Sequence, residues 1–175
     1  MSDVQTIENN EVVFTPEERR NIRQHIIHIE KLLSKVDGHT VGDSESCPLK
    51  HSFCDGMYVR EIKIPKDTIL TGKIHKHEHP NFLMSGTVMV ITESGGEEIL
   101  HGPLSMISEA GTKRALYAVT DLVWITIHLN PKNTRDLEEL EELVIAKDFE
   151  TYDKFKSLER SPIRRFKDFL IKRLQ

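Results

Sequence analysis

Between Met57 and Leu129 the chain is a succession of short β-prone runs, each cut off by turn residues and none followed by a helix-length segment. Tyr58–Ile64 stops at Pro65-Lys66-Asp67. Ile69–His75 comes next, then Phe82–Thr92 with a kink expected at Gly86, and Ser94-Gly95-Gly96 reads as a hairpin turn. Glu97–His101, Leu104–Ser108, Lys113–Val119 and Leu122–Leu129 complete the set, with Glu109-Ala110-Gly111 and Thr120-Asp121 as turns. Strands this short and this evenly spaced, with no crossover helices, predict a mostly β fold: an antiparallel sandwich or barrel over residues 57–130.

The flanks have a different texture. Residues 1–14 are polar and read as loose. Thr15-Pro16-Glu17-Glu18 carries a cap, a proline suited to the first helical turn and the glutamate of a capping box, which predicts a helix over 15–37. Ile22, Ile26, Ile29, Leu33 and Val36 give that helix one apolar stripe, expected to pack on the barrel, and Asp37-Gly38 ends it. Residues 38–56, rich in Gly, Ser, Asp and Cys, read as a loop. Residues 131–175 form a helical extension: an acidic part with Leu137, Leu140, Leu143 and Val144 inward, then a basic helix opening at Ser161-Pro162. Residues 136–153 hold eight acidic groups and one basic, whereas 154–175 hold eight basic and two acidic; both are expected to be solvated faces.

Composition narrows the class of function. The net charge of −4 over 175 residues argues against a nucleic-acid binder, and no apolar run reaches the roughly 20 residues of a membrane span. The two cysteines make no disulfide framework, which fits a reducing, cytoplasmic setting. Cys47, His51 and Cys54, with His39, raise the question of a zinc site, but their spacing matches no finger pattern and a packed loop is the simpler expectation. His25 and His28 are expected on the surface of the first helix.

Asp67, Lys73, His75, His79 and Gly86 together resemble the first motif of the cupin superfamily, with Gly86 as its closing glycine, His79 at the glutamate, His75 at the second histidine and Lys73 at the first. Gly102–Ala118 resembles the second motif, Arg114 standing where the last metal-binding histidine falls and Ala118 where asparagine is usual. Gly72-Lys73-Ile74-His75, His79-Pro80-Asn81, Gly111-Thr112-Lys113-Arg114 and Val123-Trp124-Ile125-Thr126 also resemble small cupin-like proteins encoded by tailed phages and prophages. The resemblance implies a cupin-like barrel (a double-stranded β-helix) with the helices packed outside it. Commonly it also implies a homodimer.

Two chemistries stay open. On one strand face, Lys73, His75 and His77 point the same way, with His79 joining past a bend. With His128, these imidazoles are candidate ligands for Fe, Mn, Ni or Zn, and Glu61 is a further donor. In the other reading Lys73 and Arg114 hold an anionic metabolite or a nucleotide sugar, Arg60 and Tyr117 assist, and His75 and His79 move protons. A non-catalytic role is the alternative to both: an accessory protein that binds a host protein or a signalling metabolite through its barrel and helices. In Leu122–Leu129 the apolar alternation of Val123, Ile125, Ile127 and Leu129 is expected to face the core, which would turn Trp124, Thr126 and His128 outward; if helices cover the barrel outside, that polar and aromatic face lines the cavity instead.

Overall fold

The computed structural model of the chain describes residues 14–36, 44–159 and 161–174. The helix end expected at Asp37-Gly38, the candidate ligand His39 and nearly all of the loose amino-terminal stretch lie outside these residues.

Helix α1 spans Pro16–Leu33 and begins as its sequence dictates. The Thr15 hydroxyl accepts the Glu18 N–H at 3.3 Å while the Glu18 carboxylate accepts the Thr15 N–H at 2.7 Å. Its stripe packs on the chain's own barrel through Ile26, which is 1% exposed, and Arg23 ties the helix to Glu93 at 2.6 and 3.0 Å. The far end of the stripe does not pack: Val36 is exposed.

Ten strands follow, β1 (Leu49–Cys54), β2 (Met57–Ile64), β3 (Ile69–Thr71), β4 (Ile74–His75), β5 (His79–Ser85), β6 (Thr87–Thr92), β7 (Gly96–His101), β8 (Leu104–Ser108), β9 (Arg114–Ala118) and β10 (Leu122–Leu129). Nine of these ten fall in two antiparallel sheets, ordered β1-β2-β10-β5-β8 and β3-β9-β6-β7, and apart from the β1–β2 and β6–β7 hairpins the chain alternates between them. That alternation is the double-sheet jelly roll, the architecture of cupins, in which the chain crosses between two facing sheets. Between them lies a core that includes Ile64, Leu83, Val88, Leu116, Leu122 and Trp124. Full burial of one such side chain, Leu83 for instance, stabilises by about 1.5–3 kcal/mol.

The carboxy-terminal elements close over one end. Helix α2 (Leu137–Val144) leads into the short strand β11 (Ile145–Ala146), which pairs with β4. Helix α3 (Phe149–Glu159) sets Tyr152 beside Ile74 and Ala146 in a second small core, and helix α4 (Pro162–Leu174) follows.

Two expectations change here. The stretch 38–56, read as a loop, contains β1, an edge strand whose hairpin turns at Asp55-Gly56. Its polar residues Lys50, Ser52 and Cys54 are exposed, so a half-wetted strand had the composition of a loop. The apolar alternation of β10 faces outward: Leu129 is exposed, whereas Leu122, Trp124 and His128 are buried. The barrel encloses a hollow, and the polar and aromatic residues of that strand line the interior.

Candidate functional site

Cross-strand register stacks the inward-facing side chains of the larger sheet in layers. One layer holds Tyr58 opposite His128 and, farther along, His79 opposite Ser108. The next holds Arg60, Thr126, Asn81 and Met106 in a row across β2, β10, β5 and β8. The third holds Ile62, Trp124, Leu83 and Leu104. Two residues of strand separate adjacent layers, about 7 Å.

His75 enters the first layer from β4, pinned there by the pairing of β4 with β11. The rings of His75, His79 and His128 form a close triangle, with centroid separations of 4.1, 4.7 and 4.8 Å. One nitrogen from each lies within 4.8 Å of the others. The His79 Nδ1 faces the His77 carbonyl at 3.1 Å; a carbonyl accepts only, so Nδ1 carries the proton and the Nε2 lone pair is free. His128 Nε2 meets the Thr126 hydroxyl at 3.0 Å. The His75 Nδ1 is buried and, among the described residues, has no hydrogen-bond partner.

Burial holds all three imidazoles neutral. It is the leading cause for His75, well below its ordinary value of 6.5, with His79, His128, Arg60 and Arg114 adding repulsion. Burial also takes His79 to about 4 and His128 to about 3. Three neutral rings present three lone pairs, the protonation state a metal requires. In the metal-free protein the unfolded chain binds protons at these positions before the folded chain does. Stability is therefore complete above pH 6.5 and falls with acidification towards the folded values, by about 1.4 kcal/mol per pH unit for each imidazole. Urea midpoints measured between pH 7 and 5 should fall accordingly, and His128→Asn should flatten the slope; equal slopes would refute the burial argument.

Beside the triangle opens a cavity of about 740 Å³, within the range of small-molecule sites. His75, His79, Arg60, Asn81, Arg114 and Trp124 are on its wall. Arg114 crosses from the smaller sheet. It donates to the Ser108 hydroxyl, reaches the Asn81 Oδ1 at 3.4 Å and lies over the Trp124 ring at 5.4 Å. Burial lowers its pKa to about 10, opposed by the field of Glu98, so it stays cationic at neutral pH. Asn81, fully buried, organises this corner: its Oδ1 also accepts the Trp124 Nε1–H at 3.0 Å, and its amide donates to Ser108 at 2.8 Å and to the His79 carbonyl at 3.1 Å.

Several residues singled out in the sequence stand elsewhere. Lys73 sits at the mouth, ion-paired with Glu141 of α2, because Gly72-Lys73 interrupts the strand and the two-residue alternation does not carry through to His75. His77 is exposed in the bend before β5, edge-on to Phe155, and is outside the triangle. Tyr117 is on the face of β9 opposite Arg114 and Leu116 and donates to Asp67 at 2.7 Å, away from the cavity. Cys47 is packed in the core, Cys54 is exposed and His51 bonds the Tyr58 hydroxyl at 2.7 Å, so those three do not converge. Asn81, Ser108 and Trp124 were not among the residues singled out as candidates. The available signal was an asparagine in a strand interior, where that residue is depleted.

No protein-family model and no curated protein matches the chain. Among solved structures it is similar to KdgF from Halomonas sp., at 13% identity and a TM-score of 0.45, over 59% of this chain and 96% of that one. It is similar to salicylate 1,2-dioxygenase from Pseudoaminobacter salicylatoxidans at 11% identity and 0.47, over 73% of this chain but 36% of that one. A cupin superfamily protein from Desulfitobacterium hafniense is similar at 9% identity and 0.39, over 56% of this chain and 86% of that one.

Proposed function

We propose that the chain is a small-molecule protein of the cupin type that holds one divalent transition metal through His75, His79 and His128 and binds an anionic metabolite in the adjoining cavity. The observation that carries this reading is the triangle itself: three neutral imidazoles, two buried and His75 half-buried, donor atoms within 4.8 Å, and a buried His75 nitrogen for which no described residue supplies a partner. An unsatisfied buried nitrogen costs about 1–3 kcal/mol, and a metal would remove that cost. Nitrogen donors without carboxylate or thiolate suit Fe, Mn, Ni or Zn and not Mg or Ca. When bound, such an ion supplies Lewis-acid polarisation of a substrate oxygen.

The protein's own contribution is orientation. The His77 carbonyl fixes the tautomer and plane of His79, and Thr126 does the same for His128 when its hydroxyl accepts the Nε2–H, as outer-shell partners of metal-bound histidines do. Arg114, fixed by Asn81, Ser108 and Trp124, supports recognition of a negative group, and the apolar wall excludes water. The test is elemental analysis of protein purified without added metal. About one equivalent of Fe, Mn, Ni or Zn per chain is expected, with a melting temperature that drops on chelation and recovers on reloading. A metal-free protein whose melting temperature ignores all four ions would refute the reading.

A further inference from the structure

The second layer of the cavity contains a charge with which no other described residue pairs. Arg60 projects inward from β2, on the cavity wall, and among the described residues its guanidinium has no hydrogen-bond or ion-pair partner. Two strands along the same row stands Asn81, to which Arg114 is anchored from the opposite sheet. Strands lie about 4.8 Å apart, so the row from Arg60 to Asn81 spans about 10 Å with Thr126 at its centre. Two long side chains reach such a midpoint from either end. Both guanidiniums act on His75 through their fields.

Among the described residues, this layer holds no carboxylate that would neutralise them. Glu30, Glu141 and Glu142, the acids on the wall, come from α1 and α2 at the mouth. There Glu30 pairs with Lys113 at 2.7 Å and Glu141 with Lys73. The next layer inward is apolar: Ile62 and Trp124 from one sheet, faced by Leu70 and Leu116 from the other.

We infer that Arg60 and Arg114 clamp one carboxylate group from two sides, over Thr126, and that the substrate is a compact organic acid with an apolar body. A planar guanidinium matches a carboxylate edge to edge, and two of them bound away from water give charge-assisted bonds of about twice ordinary strength. The acid's apolar part lies against Ile62 and Trp124, and the clamped group stands one layer, about 7 Å, from the imidazoles. A nucleotide sugar lacks the apolar body that this layer accommodates. This inference rests on the reading of the site as a small-molecule site but not on the metal.

The experiment is isothermal titration of the full chain with benzoate, phenylacetate and hexanoate, against inorganic phosphate and UDP-glucose, with metal content measured on each preparation. Arg60→Gln is the decisive variant, because Arg60 bonds no other described side chain and its loss leaves the fold intact; Arg60→Lys restores the charge without the planar fork. At least one carboxylate should bind, about tenfold or more weaker in Arg60→Gln, partly recovered in Arg60→Lys, with metal content and melting temperature unchanged. Arg114→Gln should weaken it similarly, and a fall in its melting temperature would leave Arg60→Gln as the test. Carboxylate affinity indifferent to Arg60, binding of phosphate or UDP-glucose in preference, or no carboxylate binding would overturn the clamp. A metal-free protein whose melting temperature ignores all four ions but that still binds carboxylates through Arg60 would sink the metal reading and leave the clamp standing.

Discussion

Replacing His128 by alanine is expected to abolish stoichiometric metal in the purified protein, whereas His77→Ala is expected to leave it unchanged. The two residues have the same chemistry and opposite placements. His128 is buried, with its ring 4.8 Å from that of His75 and 4.7 Å from that of His79; His77 is exposed beside Phe155. Removing one of three ligands should cost more than the roughly 10–100-fold in affinity that loss of an outer-shell partner costs. Elemental analysis after dialysis against a weak chelator reads the difference directly. His79→Ala should behave as His128→Ala does. Retention of metal by His128→Ala together with its loss in His77→Ala would restore the arrangement that strand alternation from Lys73 suggested and refute the triangle.

That contrast marks where the sequence was legible and where it was not. Strand positions could be read closely: the run 82–92 with its kink became β5 and β6, divided at Gly86, and the runs at 97, 104, 113 and 122 each became a strand. Turn chemistry is local, so it is visible residue by residue. Orientation is not local. In β10 both faces are rich in large side chains, and only the closure of the barrel decides that Trp124 and His128 look inward. Around Lys73 the alternation fails because β3 ends at Thr71 and β4 restarts at Ile74. Reading a period of two across that gap put Lys73 beside the imidazoles and brought in His77, neither of which the folded chain does. Arg60 could be named as a pocket residue but not as the uncompensated cation, since that depends on Glu141 and Glu30 being engaged by other lysines.

Gly86→Ala is expected to be the most damaging single-methyl change in the barrel, although Gly86 touches neither the imidazoles nor the cavity. Its φ is +92°, a conformation that side-chain-bearing residues rarely adopt, and an added Cβ would sit 2.2 Å from the Asp121 carbonyl oxygen and 2.6 Å from Leu122. The oxygen is backbone and cannot rotate away, while Leu122 is 2% exposed and has no room to yield. Gly86 also accepts the Gly102 N–H at 2.8 Å, so displacement of its peptide would loosen a second crossing between the sheets. Backbone strain of about 1–3 kcal/mol and overpacking of about 1–3 kcal/mol together approach the total stability of a marginal domain. At this chain length about 4 kcal/mol corresponds to a fall of roughly 8–16 °C in melting temperature. Gly56→Ala separates the two contributions, because Gly56 shares the positive φ, +72°, but an added Cβ there meets nothing within 4 Å. Its penalty should be the conformational part alone, about 1–2 kcal/mol. Equal losses in the two variants would mean that the contact with Asp121 costs nothing and that the β5–β6 junction yields more than its packing implies.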